Sequence, residues 1–382
     1  MKICLVTRQF PPHIGGLGHS AERIARQLSR HFGYDVHVLV VDETSDKYFP
    51  SFELGNPVNL SMPTIHWLRT MRDWQRSEMA SYESLHHLNS VFSFDIVVTF
   101  GVSIVGFATT LWGKENGVPV IVSARGKDIH SDIFDPDRFG QIYWCLKHAS
   151  YIIAVTNTLL RRIRAITGRI DESIFIPNGI DPTVFSEGVV NISNLPRGLV
   201  IGTIGVVRPS KGLHLLFQAC ANLSKKFSFT LLIIGDASEI GREYLDAEMS
   251  QWMQHFPVVV TGFVQHSEVL SYLRLTDIVV LPSLYDGFPN ALLESMLAER
   301  PVIATNSAGE DALEDGEDGL LIQRDSVEAL STAIEQLAIN PTLRTKLAVS
   351  ARNKVLHQYT SHQEAMAWHN VLEMVIGNYL QR

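Results

Sequence analysis

Short apolar segments alternate with amphipathic segments along the whole chain. The segment KICLVT at residues 2–7 is typical of a buried strand, and LGHSAERIARQLSRHF at residues 17–32 has apolar residues at helical spacing. Strands that alternate with helices in this way form parallel sheets covered by helices. The pattern therefore predicts an α/β protein.

The alternation runs through two blocks. The segment at residues 177–198, between them, loses periodicity and collects Pro, Gly, Asn and Ser, as interdomain linkers do. The strands predicted before it are residues 2–7, 36–41, 64–68, 95–100, 119–124, 151–156 and 173–177. Those predicted after it are residues 199–205, 229–236, 258–263, 277–283, 301–306 and 319–322.

The two blocks predict two Rossmann-like domains, at residues 1–180 and 199–360, joined by a linker at residues 181–198. A chain of 382 residues is long enough for two domains of ordinary size. The C-terminal segment at residues 361–382 has apolar residues at helical spacing and is too short for a domain. We expect it to pack back on the first domain, or to bridge both.

Composition narrows the functional classes. Apolar residues make up 46% of the chain and charged residues 19%, which fits a globular protein. The formal net charge is −8 and the second half is the acidic one, so a nucleic-acid partner is not expected. The three cysteines, Cys4, Cys145 and Cys220, form no CxxC pair, so neither a disulfide framework nor a zinc site is predicted.

The sequence also lacks the marks of export or membrane insertion. The apolar run at the N-terminus is too short for a signal peptide, and no run of about 18 apolar residues is present. We therefore expect a cytoplasmic protein.

The strongest candidate chemistry follows the strand predicted at residues 199–205. Arg208 and Lys211 lie in the next loop, and Gly212 precedes a helix. Ligands of open α/β sheets bind beyond the carboxyl ends of the strands. Two cations beside helix N-terminal amides suit a pair of phosphates, whereas two solvated loop cations are the alternative. Their position in an acidic domain favours the phosphate site.

A glycine cluster follows the first predicted strand. Gly15, Gly16 and Gly18 would let the backbone approach an anion closely before a helix begins. The spacing is not GxGxxG, and the loop is too long for a tight dinucleotide turn. Asp42 follows the second strand, where the ribose of a nicotinamide cofactor would lie. A dehydrogenase is therefore a minor alternative, and an ordinary surface acid is the favoured interpretation of Asp42.

Residues 123–137 hold further candidates. Arg125 could bind a phosphate or a polar substrate, or could form a buried ion pair with Asp128. Asp135 and Asp137 form a DxD pair, which can hold a divalent metal against phosphates. Because a Pro lies between them just before a helical pattern, helix capping and turn formation are favoured.

The segment SLYDGFPNALLE at residues 283–294 places Asp286 and Glu294 eight positions apart. Pro289 is expected at the first position of a helix, and Gly287 would let the backbone close on a ligand. The separation suits two acids that bind opposite ends of one extended ligand better than a hydrolytic acid/base pair.

These segments together resemble the GT-B glycosyltransferases of family 4, which are retaining enzymes that use nucleotide sugars. The resemblance implies two Rossmann-like domains that face each other across a cleft. The motifs that carry it are PSLYDGFPNALLESMLAERPVIATNSAGEDALEDGEDGLLI at 282–322, GTIGVVRPSKG at 202–212, PNGID at 177–181 and PPHIGGLG at 11–18.

The resemblance also implies roles for single residues. Arg208 and Lys211 would bind the donor diphosphate, and Glu294 the nucleotide ribose. Asp286 lies where the family contacts the sugar hydroxyls, although the usual residue there is the longer Glu. Arg208, Lys211 and Asp286 are the catalytic candidates. The full set that the resemblance places against the donor is Gly15, Gly16, Arg208, Lys211, Asp286, Gly287, Phe288 and Glu294.

Arg125 departs from the family pattern. Many members carry a His at its position, before the Gly, so the contact attributed to that His does not transfer to this chain. The resemblance leaves Arg125 and Asp128 on the acceptor or donor-sugar side.

The reaction that the resemblance implies is transfer of a hexose, with retention, from a nucleotide diphosphate sugar to a hydroxyl of a glycan or lipid-linked glycan. UDP-glucose is the favoured donor. Arg208 and Lys211 would stabilise the departing diphosphate, so neither a metal nor a cofactor is expected. The alternatives are a sugar-nucleotide epimerase or phosphorylase, or a non-catalytic protein that binds sugar nucleotides on the same fold.

Two basic segments suggest a surface for anionic lipid. TIHWLRTMRDWQRSEM at residues 64–79 interleaves Arg and Trp, and RRIRAITGR at residues 161–169 adds more cations. Such a surface could rest on the inner face of the cytoplasmic membrane and reach a lipid-linked glycan. The alternative is a strand followed by a solvated helix face.

Overall fold

The computed structural model describes residues 1–12, 15–43, 51–55, 62–70, 73–185, 192, 198–236, 241, 243 and 250–381. Contacts divide the chain into two compact units. The first unit contains Met1–Asn178 and Ser361–Arg382, and the second contains Gly179–Thr360. Most of the linker predicted at residues 181–198 lies outside the described residues.

Each unit is built on one sheet. The strands of the first unit are β1 (Lys2–Thr7), β2 (Asp35–Asp42), β3 (Ser51–Glu53), β4 (Thr64–Arg69), β5 (Ile96–Phe100), β6 (Val120–Ala124), β7 (Tyr151–Ala154) and β8 (Ser173–Phe175). Those of the second unit are β9 (Leu199–Ile204), β10 (Phe229–Ile234), β11 (Val258–Val260), β12 (Ile278–Leu281), β13 (Val302–Thr305) and β14 (Leu320–Ile322). Every predicted strand is thus confirmed to within a few residues.

Most of the α-helices that the structure describes follow a strand. In chain order they are α1 (Gly16–Phe32), α2 (Trp74–Phe92), α3 (Val105–Asn116), α4 (Lys127–His130), α5 (Pro136–His148), α6 (Asn157–Thr167), α7 (Leu213–Leu223), α8 (Ser250–Met253), α9 (Val269–Leu273), α10 (Asn290–Leu297), α11 (Asn306–Gly309), α12 (Val327–Ile339), α13 (Pro341–Gln358) and α14 (Ser361–Leu380). Short 3₁₀ turns are Asp132–Phe134, Pro182–Val184, Pro209–Lys211 and His266–Glu268.

In both sheets, all the strands that the sequence predicted pair in parallel. The order is β3-β4-β2-β1-β5-β6-β7-β8 in the first unit and β11-β10-β9-β12-β13-β14 in the second. The exception is β3, which pairs antiparallel with β4 at the sheet edge. Its three residues are too few to show a periodicity, which explains why the sequence did not predict it.

The core of the first unit joins the sheet to α1 and α14. Ile24 and Leu28 on α1 pack in one buried cluster with the central strands and with Trp368 on α14. The Trp368 ring stacks on Phe100 with the centroids 5.6 Å apart. Burial of these large apolar side chains is the main force that attaches the C-terminal helix to this unit.

The chain direction sets where ligands can bind in each unit. From β1 the chain moves to β2 on one side and later to β5 on the other, so the strand order reverses between β1 and β5. The second unit reverses in the same way between β9 and β12. At such a point the loops after the two strands diverge and leave a crevice at the carboxyl edge of the sheet.

Candidate functional site

The two loops at the switch point of the second unit are tied together. The loop after β9 carries Arg208 and Lys211, and the loop after β12 carries Asp286. The Leu284 amide in the second loop donates to the Ser210 carbonyl in the first, with an N···O distance of 2.9 Å. The sequence alone did not show that these motifs, far apart in the chain, would be neighbours.

Gly212 allows this close approach. Its φ is +66°, and a Cβ atom at this position would lie 2.0 Å from the Pro282 carbonyl oxygen. A side chain here would meet both backbone strain and a backbone clash. Glycine is therefore required for the β9 and β12 loops to meet.

Lys211 and Asp286 form the centre of the site. The Lys211 Nζ lies 2.5 Å from Asp286 Oδ2, and the two side chains are 18% and 19% exposed. The Gly287 amide donates to Asp286 Oδ1 at 3.0 Å, and the Ser283 hydroxyl lies 3.5 Å from Oδ2. The carboxylate is therefore held in one orientation before any ligand binds.

A small opening lies beside this pair. The helices α7 and α10 begin there, and the residues that precede them, Gly212 and Pro289, make no side-chain cap. The first N–H groups of a helix have no partner within the helix, so they attract anions. The lining residues are Thr203, Ile204, Lys211, Leu281, Pro282, Ser283, Asp286, Pro289 and Ala291.

One detail differs from the sequence analysis. Pro289 is the residue before α10 rather than its first residue. Phe288 is buried, and its ring lies 5.5 Å from that of Tyr359, so its side chain belongs to the packing of the unit. Arg208 is exposed at the start of the 3₁₀ turn Pro209–Lys211.

Glu294 is bound to a histidine that the sequence analysis did not single out. It is a buried residue of α10, and its Oε1 lies 3.1 Å from His266 Nε2. The His266 ring packs near Phe185, with the centroids 5.0 Å apart. The signal in the sequence was a polar residue shortly after a predicted strand, at the edge where ligands bind.

The first unit places Gly15 and Gly16 at the start of α1. Gly15 is the residue before the helix and Gly16 its first residue, while Gly18 lies in the first turn. A Cβ atom on Gly18 would lie 3.3 Å from the Phe10 backbone nitrogen. The expectation that all three glycines precede the helix is therefore wrong for Gly16 and Gly18.

Arg125 follows β6, and its guanidinium group is hydrogen-bonded to Asn178 and not to the Asp128 carboxylate. Its Nη2 donates to Asn178 Oδ1 at 2.5 Å, and its guanidinium lies 4.5 Å from the centroid of the Phe100 ring. Burial lowers the pKa of Arg125 to about 10, so the group stays charged at neutral pH. The cation is oriented by an amide and an aromatic ring.

The Asp128 carboxylate binds backbone amides. It accepts from Gly126 at 2.9 Å, from Val102 and Ile129 at 3.1 Å and from Arg125 at 3.2 Å. Burial raises the pKa of this carboxyl, and the backbone donors oppose that rise. The interpretation of an Arg125–Asp128 ion pair is corrected: Asp128 fixes the loops after β5 and β6.

Asp135 and Asp137 form a helix cap. Asp135 precedes α5, and its carboxylate accepts from the Asp137 amide at 3.0 Å. The capping interpretation is confirmed. Within the described part of the chain, no three His, Cys, Asp or Glu side chains are grouped for a metal ion.

Two glycosyltransferase families match different parts of this chain. The family described as "Glycosyl transferases group 1" matches residues 198–340, and "Glycosyltransferase Family 4" matches residues 14–184. An uncharacterized glycosyltransferase of Methanocaldococcus jannaschii is 22% identical over 99% of this chain and 98% of its own length. The capsular polysaccharide biosynthesis glycosyltransferase CapM of Staphylococcus aureus is 28% identical over 49% of this chain and 48% of its own.

A solved structure has the same fold. The Anabaena protein HepE, crystallised with UDP-glucose, superposes with a TM-score of 0.77 at 17% identity, over 98% of this chain and all of HepE. The chain is a glycosyltransferase with the GT-B fold. The segment matched at residues 198–340 contains Lys211, Asp286, Glu294 and His266.

In the basic segments of this glycosyltransferase, several Arg and Trp side chains form ion pairs or pack against the core. Trp67 packs against the core of the first unit. Arg69 pairs with Glu53 at 3.5 Å, and Arg76 pairs with Asp73 at 3.3 Å. Within the described residues, no helix has both the length and the hydropathy to cross a bilayer.

The segment at residues 161–169 is also partly used by the fold. Arg164 donates to the Ser173 carbonyl at 2.8 Å, and Arg169 to the Ala149 carbonyl at 2.6 Å. Both guanidinium groups thus hold α6 and its neighbours together. Arg72 and the side chain of Trp74, which also belonged to the predicted membrane surface, lie outside the described residues.

Proposed function

We propose that the second unit binds a nucleotide diphosphate sugar at Lys211, Asp286 and Glu294, and that the enzyme transfers the hexose to a hydroxyl of a glycan or lipid-linked glycan. The observation that carries this proposal is the meeting of the β9 and β12 loops, which places a cation and an acid beside two uncapped helix N-termini. UDP-glucose is the favoured donor, supported by the ligand of HepE. The name of CapM supports a role in polysaccharide biosynthesis.

Donor binding exchanges the partner of Lys211. Without a donor, the ammonium group is neutralised by the Asp286 carboxylate. A diphosphate offers more negative charge, and the helix N-termini favour it, so it can replace the carboxylate as the partner of Lys211. Asp286 then accepts hydrogen bonds from hydroxyls of the donor sugar.

Glu294 is proposed to bind the ribose of the nucleotide. His266 holds its Oε1, and Oε2 can accept from the ribose hydroxyls. A carboxylate fixed by one partner loses less side-chain freedom when it binds a second. His266 is thus a positioning residue for Glu294.

The chemistry is proposed to depend on stabilisation of the leaving group. Charge develops on the diphosphate as the bond to the sugar breaks, and Lys211 and Arg208 stabilise it most in the transition state. The leaving phosphate oxygen takes the proton of the acceptor hydroxyl, and the new bond forms on the same face, with retention. No metal is required in this scheme. Gly15, Gly16 and Arg125 are proposed for the acceptor or sugar side.

Product analysis tests the proposal. The intact chain is incubated with UDP-, GDP- and ADP-glucose, with and without glycan acceptors, and nucleoside diphosphate release is measured with and without EDTA. Acceptor-dependent release of UDP, unaffected by EDTA, and an α-linked product by NMR are expected. Epimerised donor without acceptor would indicate an epimerase. A requirement for inorganic phosphate would indicate a phosphorylase, and tight binding without turnover would indicate a non-catalytic binding protein.

Contact with an anionic membrane is a separate part of the proposal. It rests on the segments at residues 64–79 and 161–169, although several of their cations have partners in the fold. Co-sedimentation with vesicles that contain anionic phospholipid, at low salt, tests it. No binding under these conditions would leave a glycosyltransferase that reaches its acceptor in solution.

A further inference from the structure

The loop after β12 is held by hydrogen bonds from the segments on both sides of it. On one side, the Leu284 amide donates to the Ser210 carbonyl of the loop after β9, at 2.9 Å. On the other side, two hydroxyl groups at or just after the end of β13 donate to the Ser283 carbonyl, that of Thr305 at 2.6 Å and that of Ser307 at 2.8 Å. A carbonyl oxygen has two lone pairs, so both acceptor positions of Ser283 are occupied.

These hydroxyl contacts begin where the backbone pairing of β12 with β13 ends. The last paired residues of the two strands are Leu281 and Ala304. Pro282 comes next in the chain after β12, and proline has no N–H group to donate to a neighbouring strand. Side-chain hydroxyls therefore tie the two segments beyond this point. The strands are already paired without them, so what the hydroxyls fix is the loop.

Thr305 uses its hydroxyl in an unusual way. It directly precedes α11, a position at which Thr commonly accepts a hydrogen bond from a helix amide, but its side chain makes no such cap. Thr305 is 1% exposed and Ser283 is 3% exposed. A buried hydroxyl needs a partner, and here the partner is the carbonyl of a neighbouring loop. The hydroxyl therefore serves the loop that carries Asp286 and not the helix that it precedes.

The position of Asp286 depends on this loop most when Lys211 changes partner. Without a donor, the Asp286 carboxylate is held by the Lys211 ammonium group. It also accepts from the Gly287 amide at 3.0 Å and lies 3.5 Å from the Ser283 hydroxyl. The proposed function gives Lys211 to the diphosphate of the donor, so the ion pair then no longer holds Asp286 in place. The two local contacts remain, and both depend on where the backbone of the loop lies.

We propose that Thr305 and Ser307 are positioning residues for Asp286, which hold its loop so that the carboxylate meets the hydroxyls of the donor sugar. The words donor and sugar rest on the proposed function, whereas the restraint on the loop does not. UDP has no hexose for Asp286 to contact, so loss of the two hydroxyls should leave UDP binding unchanged. UDP-glucose should bind less tightly, because a carboxylate on a less restrained loop must be ordered at the moment of binding.

Calorimetry with UDP and UDP-glucose on variants of the intact chain tests this role. Thr305→Val keeps the shape of the side chain and removes the hydroxyl, whereas Thr305→Ser keeps the hydroxyl and removes a buried methyl group. Thr305→Val combined with Ser307→Ala should lower the affinity for UDP-glucose at least about fivefold, and that for UDP by less than about twofold. Thr305→Ser should bind both ligands as the wild type does, even where it is less stable. Thr230→Val, the same change at a buried position near the start of β10, should leave both affinities unaltered.

Hydrogen exchange in the ligand-free chain tests the restraint on the loop without a donor. The Leu284 amide should exchange faster in the double variant than in the wild type or in Thr305→Ser, because its hydrogen bond to Ser210 then opens more often. Circular dichroism checks that each variant is folded. The single variants Thr305→Val and Ser307→Ala should show smaller changes of the same kind, and they provide the test if the double variant does not fold.

The outcomes separate this role from the proposed function. In folded variants, unchanged exchange at Leu284, or equal changes in the affinities for UDP and UDP-glucose, would overturn the positioning role. A wild type that binds neither ligand would instead contradict the proposed function, and faster exchange at Leu284 would still support the restraint on the loop.

Discussion

Lys211 and Asp286, 75 positions apart in the sequence, form an ion pair with Nζ 2.5 Å from Oδ2. Glu294, on the helix that follows Asp286, is bound instead to His266 at 3.1 Å. The two acids of SLYDGFPNALLE therefore have different partners. Asp286 neutralises the proposed phosphate-binding cation, whereas Glu294 is held by a histidine.

The pair predicts different changes in affinity for UDP and for UDP-glucose when Asp286 loses its charge. In Asp286→Asn, Lys211 no longer has a competing carboxylate, so UDP should bind about three- to tenfold more tightly. UDP-glucose should gain less or lose affinity, because the contact with the sugar hydroxyls is weakened. Calorimetry with both ligands measures the difference. Asp325→Asn, the same change at an exposed position, is the control, and equal changes for both ligands would refute the assigned roles.

Removal of either cation should slow the reaction strongly. Lys211→Ala and Arg208→Ala should each lower kcat by more than about 100-fold, because each removes a charge-assisted contact that strengthens as the diphosphate departs. Steady-state kinetics at saturating donor are the measurement. Lys225→Ala, at an exposed position of the same unit, should leave kcat unchanged. Near-normal rates in both cation variants would exclude the mechanism.

Glu294 and His266 should act on the nucleotide and not on the sugar. Glu294→Ala is expected to lower the affinities for UDP and for UDP-glucose by the same factor, since both ligands carry the ribose. His266→Ala should produce a smaller loss, about three- to tenfold, because Glu294 remains but is no longer held. Calorimetry with both ligands decides this. A His266 variant with unchanged affinity for both would show that the pair serves only the packing of α10.

Gly212 offers a test of the loop geometry. Gly212→Ala should lower stability by more than about 2 kcal/mol and abolish most activity, because its Cβ would overlap the Pro282 carbonyl and push the two loops apart. Gly316→Ala is the matched control, since Gly316 has a φ of +76° and open space around the added atom. Urea denaturation and kinetics measure both variants. Similar losses in the two would mean that only backbone strain matters.

The sequence predicted the positions of the strands better than it predicted which side chains lie next to each other. Apolar runs located the strands because burial on both faces leaves an uninterrupted signal, as in β1 and β5. The pairing of Lys211 with Asp286 depends on strand order, which periodicity does not encode. For the same reason, the hydrogen bond from the Val102 amide to the Asp128 carboxylate gave no local signal, because the two residues lie 26 positions apart.

A buried histidine pair in the first unit gives a last prediction, on acid stability. His37 Nδ1 lies 2.9 Å from His66 Nε2. Burial lowers the pKa of both, that of His66 to about 4, while in the unfolded chain each would titrate near 6.5. Because the unfolded chain then binds more protons, stability is full above pH 6.5 and falls as the pH decreases toward 4, with a loss of about 2 kcal/mol from His66 by pH 5.

The variant His66→Gln separates this effect from general acid denaturation. Gln does not titrate and can still accept from the Gly55 amide, which lies 3.0 Å from His66 Nδ1. Urea denaturation at pH 7.5 and pH 5 should therefore show a smaller loss of stability for His66→Gln than for the wild type. His86→Gln, at an exposed position of α2, should behave as the wild type does. If His66→Gln loses as much stability as the wild type, the buried pair is not the source of the acid sensitivity.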